Sequence, residues 1–145
     1  MSSCNSYCIS YDRNKIIKKY GKNYQIHLNH SSIDFMNVYL DKENIKKITV
    51  NKNSKLVEIQ SVLEPKYLLL AELNLDSLSK RPGFGKNKIE SLILNGEIVS
   101  DEQMKNTKIE ISAITNIQLL TQEQMNNSIN CRMAIGDFFL INTKQ

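Results

Sequence analysis

The fold is decided by one stretch in the last third of the chain, Ile89-Glu90-Ser91-Leu92-Ile93-Leu94-Asn95-Gly96-Glu97-Ile98-Val99. Its Asn95-Gly96 pair separates two apolar runs, and Asn-Gly in that position is the strongest short-range signal for a β-hairpin. The sequence therefore predicts that Leu92–Leu94 pairs with Glu97–Val99 about this turn.

Two more short apolar runs follow the hairpin, at Ile117–Leu120 and Phe138–Ile141. Each run is bounded by polar residues, which is typical of a buried strand. We expect Phe138–Ile141 to lie in the same sheet as the hairpin. We also expect Ile117 and Leu140 to belong to the core, so that replacing either by Ala would destabilise the fold by roughly 2–4 kcal/mol.

The order of these elements resembles the plug-like module of TonB-dependent receptors and its small relatives among Bacteroidetes envelope proteins. In that family an I-x-x-L-h-L/I-N/D-G hairpin precedes a polar helix, an I-x-x-I-x-h-L strand and a closing G-x-h-h-h-I-x-T-K strand. This chain matches those elements within residues 89–144. The resemblance implies a plug-like fold and a place in the cell envelope, near the outer membrane.

The first half of the chain carries a related pattern. Glu43–Val50 aligns with Ser112–Leu119, because each segment has an Ile-x-x-Ile pair that leads into an apolar strand. The similarity predicts two degenerate halves, 33–64 and 65–145, within a single plug-like domain of residues 33–145. Chance similarity in an Ile-rich chain is the alternative. The predicted fold class is α+β, with short helices packed on a mixed or mostly antiparallel sheet.

Residues 1–32 are expected to form an irregular N-terminal segment. Within it, Asp12 is well placed to cap a short helix that stops at Gly21. Tyr24–Leu28 alternates between polar and apolar residues as a strand does.

The composition indicates one folded domain. The chain has 145 residues, and its hydrophobic residues, 41% of the total, are clustered in short runs. It is rich in Ile, Lys and Asn, as proteins of AT-rich genomes are. The net charge of +4 is therefore better explained by a solvated mixed-charge surface than by an anionic partner. No run reaches the roughly 20 apolar residues of a membrane-spanning helix.

The N-terminus bears on the cellular compartment. Met1-Ser2-Ser3-Cys4 resembles the end of a bacterial lipobox, in which the cysteine becomes the lipid-attachment residue of a lipoprotein. Cys4 would then anchor the protein on the periplasmic side of the envelope, and Cys8 and Cys131 would be left to form a disulfide there. If Met1 is instead the native start, the protein is cytoplasmic and its thiols are free.

No motif predicts an enzyme, a metal site or a cofactor. The chain lacks G-x-S-x-G, H-E-x-x-H and P-loop patterns. Cys4, Cys8, His27 and His30 invite a zinc interpretation. Their gap of eighteen residues and H-x2-H spacing nevertheless do not suit one tetrahedral ion.

A loop at residues 78–92 supplies a rival hypothesis of nucleic-acid binding. It resembles the helix-hairpin-helix motif of DNA ligases and repair proteins, in which glycines bring the backbone close to a phosphate. The candidate phosphate contacts are Arg81, Gly83, Gly85, Lys86 and Lys88. The motif requires a second helix through Ile89–Leu94, a segment that also suits a strand.

These observations favour a non-enzymatic protein of the cell envelope that binds a partner protein through its plug-like surface. A membrane would be contacted only through a lipid on Cys4. Nucleic acid is the less favoured partner. An immunity or inhibitor role is an alternative that the sequence does not separate from the first.

Overall fold

The computed structural model describes residues 5–73, 89–128 and 136–144. In these residues the fold is α+β, as predicted, with short helices and mixed sheets. The helices are α1 (Arg13–Tyr20), α2 (Asp101–Asn106) and α3 (Gln122–Ser128). The strands are β1 (Ser6–Ile9), β2 (Gln25–Leu28), β3 (Ser31–Ser32), β4 (Val38–Tyr39), β5 (Ile45–Asn51), β6 (Leu56–Ser61), β7 (Tyr67–Leu69), β8 (Ile89–Leu94), β9 (Glu97–Ile98), β10 (Lys108–Glu110), β11 (Ile114–Leu120) and β12 (Asp137–Thr143).

The chain divides into two compact units. The first unit comprises Met1–Leu68, Lys108–Ala113 and Lys144–Gln145, and the second comprises Leu69–Thr107 and Ile114–Thr143. Each unit has a sheet of its own, described below.

The first unit is built on a five-stranded sheet with the order β1-β5-β6-β2-β3. The two-residue period of β5 and β6 buries Ile48, Val50 and Ile59 among other core side chains. Helix α1 adds Ile16 and Tyr20 to the same core. As predicted, the helix begins at the cap Asp12, whose carboxylate accepts a hydrogen bond from the Lys15 N–H at 3.0 Å.

The prediction that residues 1–32 are irregular is wrong for residues 5–32. These residues contain β1, α1, β2 and β3, and β1 pairs antiparallel with β5 while β2 pairs parallel with β6. No structural boundary therefore lies at residue 33. β1 has only four residues and its partner β5 lies far along the chain, so the alternation of its exposed and half-buried side chains is too short to identify a strand from the sequence.

A three-stranded sheet has the order β4-β10-β7. In it, Lys108 and Ile109 of β10 pair in parallel with Val38 and Tyr39 of β4. Phe35–Asn37 forms a 3-10 turn directly before β4.

The second unit contains a four-stranded sheet with the order β11-β12-β8-β9. It confirms the predicted hairpin, because Ile93 pairs with Ile98 and Leu94 with Glu97. The turn residues Asn95 and Gly96 have φ values of 51° and 87°, in the left-handed region that Asn and Gly tolerate best. The run Phe138–Ile141 lies in the same sheet, as predicted, between β11 and β8.

The core prediction is wrong for Ile117, whose side chain is 49% exposed. Ile117 lies opposite Ile141, which is fully buried, so both side chains point to the same face of the sheet. β11 is the outer strand of this sheet among the described residues, whereas β12 lies between two strands. Leu140 points to the other face and is half-buried.

The two larger sheets share one strand pattern. In the first sheet, β2 of the β2-β3 hairpin pairs parallel with β6, and β6 pairs antiparallel with the seven-residue strand β5. In the second sheet, β8 of the β8-β9 hairpin pairs parallel with β12, and β12 pairs antiparallel with the seven-residue strand β11. The register shifts at the same aligned place, between Ile45 and Lys47 and between Ile114 and Asn116.

One asparagine closes each hairpin turn in the same way. The Oδ1 atom of Asn29 accepts the Ser61 N–H at 3.0 Å, and its Nδ2 donates to the Ser61 hydroxyl at 2.7 Å. Asn95 accepts the Thr143 N–H at 2.8 Å and donates to the Thr143 hydroxyl at 2.9 Å. Each asparagine thus fastens its turn to the end of the parallel strand, β6 or β12.

We expect Asn95→Ala to lower the free energy of unfolding by about 1–3 kcal/mol, because it removes both hydrogen bonds and places Ala at positive φ. Asn95→Gly removes the bonds without the backbone strain, so its cost should be smaller. Asn29→Ala and Asn29→Gly should repeat this order. Urea denaturation of the four variants measures it, and four unchanged midpoints would show that the turns need no such fastening.

Candidate protein-binding surface

The site residues proposed from the sequence, Cys4, Arg81, Gly83, Gly85, Lys86 and Lys88, lie outside the described residues, as does Cys131. The adjoining segment Ile89–Leu94 is a strand of the four-stranded sheet. The helix-hairpin-helix interpretation requires a helix there, so its second helix is not formed.

The two histidines lie on either side of one carboxylate. His27 Nδ1 is 3.8 Å from Glu58 Oε2, and His30 Nδ1 is 3.5 Å from Glu58 Oε1. Glu58 also accepts the His30 backbone N–H at 2.7 Å. Cys8 lies in β1 with an exposed free thiol. Across residues 5–73, 89–128 and 136–144, no group of three or more His, Cys, Asp or Glu side chains is arranged to hold a metal ion.

The first unit contains a buried polar cluster around Glu110, which is only 3% exposed. One carboxylate oxygen of Glu110 accepts the Asp41 backbone N–H at 2.7 Å, and the other accepts Nδ2 of Asn44 at 2.6 Å. Both oxygens of this carboxylate therefore have a donor, as a buried carboxylate requires.

A second carboxylate of the cluster, Asp41, is held ionised. Asp41 caps the 3-10 turn Lys42–Asn44, and its side chain accepts the Glu43 N–H at 3.0 Å. Burial acts to raise the pKa of Asp41, but hydrogen bonds from Glu43, Ser112 and Lys144 outweigh it and lower that pKa. Because the folded pKa lies below the unfolded one, Asp41 stabilises the fold above its ordinary pKa. That contribution is lost as the pH falls through the folded value.

Lys144 joins the cluster from the end of the described chain. Its Nζ donates to Glu43 at 2.7 Å and lies 3.2 Å from Asp41 Oδ2. The hydrogen bond to Glu43 is the main reason that the pKa of Lys144 is raised, with the Asp41 carboxylate adding to it. The Asp41 and Glu43 carboxylates and the Lys144 ammonium group are thus bonded to one another within the cluster.

Asn44 connects this cluster to an exposed apolar surface. Its Oδ1 accepts the Leu63 N–H at 2.8 Å, its Nδ2 donates to the Leu63 carbonyl at 3.0 Å, and its own carbonyl accepts the Val62 N–H at 2.7 Å. The loop after β6 is therefore fixed at three points, yet Val62 is 61% exposed and Leu63 is 72% exposed.

Ile111 adds a third exposed apolar side chain near the same cluster. It directly follows Glu110 in the chain, and it is 55% exposed. Its N–H donates to the Lys66 carbonyl at 2.8 Å, which fixes this backbone close to the end of the Val62–Leu63 loop. We refer to Val62, Leu63 and Ile111 as the apolar surface of the first unit.

Sequence reasoning missed this surface. The contact between Asn44 and Glu110 joins residues that are 66 positions apart in the sequence, so no local sequence pattern predicts it. The available signal was the Val62-Leu63 pair itself, which breaks the two-residue period of β6 before Glu64-Pro65. If Val62 and Leu63 are assigned to the end of strand β6, the sequence does not indicate that their side chains are exposed.

A shallow groove of about 330 Å³ lies elsewhere in the first unit, between the end of α1 and the turn before β4. Its walls combine the apolar side chains of Ile17, Tyr24, Phe35 and Met36 with polar groups. Met36 is 55% exposed. The groove offers apolar contact without a cluster of reactive side chains.

Comparisons with known proteins identify no protein that is similar to this chain. The chain matches no family model, no curated protein and no solved structure. None of the helices in the described residues is long and apolar enough to cross a membrane.

Proposed function

We propose that the chain is a non-enzymatic protein-binding module of the cell envelope, which contacts a partner protein through Val62, Leu63 and Ile111. One observation carries the proposal: three large apolar side chains project into solvent from backbone that hydrogen bonds hold in place. The envelope location rests on the resemblance of residues 89–144 to plug-like modules and on the lipobox-like Met1–Cys4.

The energetic argument is one of preorganisation. Exposed apolar side chains gain free energy when a partner covers them, because apolar surface is removed from water. A mobile loop would lose much of that gain to the entropy of ordering its backbone. Asn44 avoids this entropic cost of binding, because its side-chain Oδ1 and Nδ2 atoms already fix the backbone of Leu63.

The polar groups of the adjoining cluster are bonded to one another. Glu110 accepts hydrogen bonds from the Asp41 N–H and the Asn44 amide, and Lys144 is ion-paired with Asp41. A protein partner with a complementary apolar patch suits this arrangement, because the fully buried centre of an interface is typically apolar and poor in charge.

The proposal predicts that Val62→Ser combined with Leu63→Ser weakens partner binding by about tenfold or more, since the central apolar contacts of an interface dominate its affinity. Asn44→Ala should weaken binding less, because the apolar side chains stay but their loop is no longer fixed. Envelope extracts of the source organism, passed over immobilised wild-type protein, would supply the partner for isothermal titration.

Ile98→Ser is the matched control, because Ile98 is 65% exposed and lies in β9 of the second unit. It makes the same kind of change at a residue that does not belong to the apolar surface, and it should leave binding unchanged. Circular dichroism would establish that each variant is folded. Equal binding by the wild type and the Val62→Ser, Leu63→Ser variant would overturn the proposal.

A further inference from the structure

Strand β11 (Ile114–Leu120) is the outer strand of the second unit's described sheet. It has seven residues, whereas the other outer strands of the two larger sheets, β1, β3 and β9, have four, two and two. An outer strand presents a row of backbone N–H and C=O groups that another strand can bind. The long β11 presents the largest such row among the described edges of these two sheets.

The equivalent strand of the first unit is covered. β5 occupies in the first sheet the place that β11 occupies in the second, and β1 pairs antiparallel with the outer side of β5 from Ile48 to Asn51. This strand position in the repeated pattern can therefore accept an antiparallel neighbour. On β11, the sheet order shows no such neighbour among the described residues.

β11 also lacks the charges and prolines that keep exposed edges apart, although its register with β12 shifts between Ile114 and Asn116. Natural sheets protect long edges with Lys, Pro, bulges or inward charges. β11 contains neither a charged residue nor a proline, and its central residues Thr115, Asn116, Ile117 and Gln118 are all exposed. The covered strand β5, by contrast, carries Lys46 and Lys47 on exposed positions.

We propose that β11 pairs antiparallel with β11 of a second copy of this chain, so that two four-stranded sheets join into one sheet of eight strands. A two-fold axis at Ile117 sets Ile117 opposite its own counterpart and covers the exposed part of that side chain. The same axis sets Asn116 opposite Gln118 of the second copy, on the other face. This proposal does not depend on partner binding by the first unit.

The side chains of β11 favour a second copy as the occupant. Asn116 and Gln118 project on one face, where the Asn116 amide donates to Gln118 at 3.4 Å. Each amide carries both a donor and an acceptor, so facing copies of the pair can hydrogen-bond to each other. No like charges meet in the symmetric arrangement, and two-fold pairing through identical surfaces is the commonest form of self-association.

The test introduces the missing edge protection. Asn116→Lys with Gln118→Lys places lysines opposite lysines across the two-fold axis but leaves an isolated edge free to fold. We expect the wild type to reach twice the 16.7 kDa mass of the chain by light scattering as concentration rises. The double-Lys variant should have a dimer dissociation constant at least about tenfold higher.

A charge-reversed partner makes the test specific. Asn116→Glu with Gln118→Glu should also be monomeric alone, yet an equimolar mixture of the Lys and Glu variants should recover the dimer mass. Ser31→Lys with Ser32→Lys is the matched control. It adds the same charge on the edge strand β3, where both residues are exposed, and should dimerise like the wild type.

Three results would overturn the proposal. The first is a wild type that stays monomeric up to about 1 mM, where only associations weaker than about −4 kcal/mol escape detection. The second is a double-Lys variant that dimerises as the wild type does. The third is a failure of the folded Lys and Glu variants to associate when they are mixed. Hydrogen exchange on the monomeric variants would confirm that β11 still pairs with β12.

Discussion

Replacing Ile141 by Ala should lower the free energy of unfolding by about 2–5 kcal/mol, the cost of removing most of a buried aliphatic side chain. Ile141 is fully buried, and it lies in β12 between β11 and β8. β12 is hydrogen-bonded to a strand on each side, so its neighbours cannot easily close the space that the smaller side chain leaves. Chemical denaturation of the variant and the wild type measures the loss.

Ile117→Ala is the matched control for this prediction. It makes the same chemical change at the position directly opposite Ile141 on the same face, but Ile117 is 49% exposed. Its cost should be below about 1 kcal/mol, as for most substitutions of exposed side chains. Both variants are compared at concentrations too low for association through β11. Equal losses for the two variants would mean that the core extends over β11 after all.

The contrast between these two isoleucines shows where sequence reasoning stops. The apolar runs correctly located β11 and β12, and Asn95-Gly96 correctly located the hairpin, because those signals act over a few neighbouring residues. The exposure of Ile117 depends instead on which strand ends the sheet. That is a property of the pairing order, and an apolar run of four residues has the same appearance in a central strand and in an edge strand.

Residues 5–32 illustrate the same limit. The cap at Asp12 was predictable from its neighbours in the sequence. β1, in contrast, gains its partner only when Ser6–Ile9 meets β5, and both α1 and β2 lie between these two strands in the chain. The candidate binding surface is non-local as well. Val62 and Leu63 are fixed by Asn44, and Asn44 is oriented in turn by Glu110, which lies in a different part of the chain.

That dependence makes Glu110 the polar position with the largest expected effect. In Glu110→Ala, the buried Asp41 N–H loses its acceptor, and the half-buried Asn44 amide keeps only the Leu63 carbonyl. The stranded Asp41 N–H should cost about 1–3 kcal/mol, because a buried polar group without a partner bears its full desolvation penalty. Loss of the Asn44 contact should also loosen the Val62–Leu63 loop.

Two readouts separate these effects. Chemical denaturation measures the stability loss, and hydrogen exchange at the Leu63 amide, which is bonded to Asn44, reports the loosening of the loop. Glu43→Ala is the control, because Glu43 belongs to the same cluster but its side chain is 70% exposed, so it should change stability little and leave the Leu63 amide protected. If Glu110→Ala kept both its denaturation midpoint and its Leu63 protection, the buried cluster would have no part in positioning the apolar surface. The preorganisation on which the proposed binding depends would then have to be abandoned.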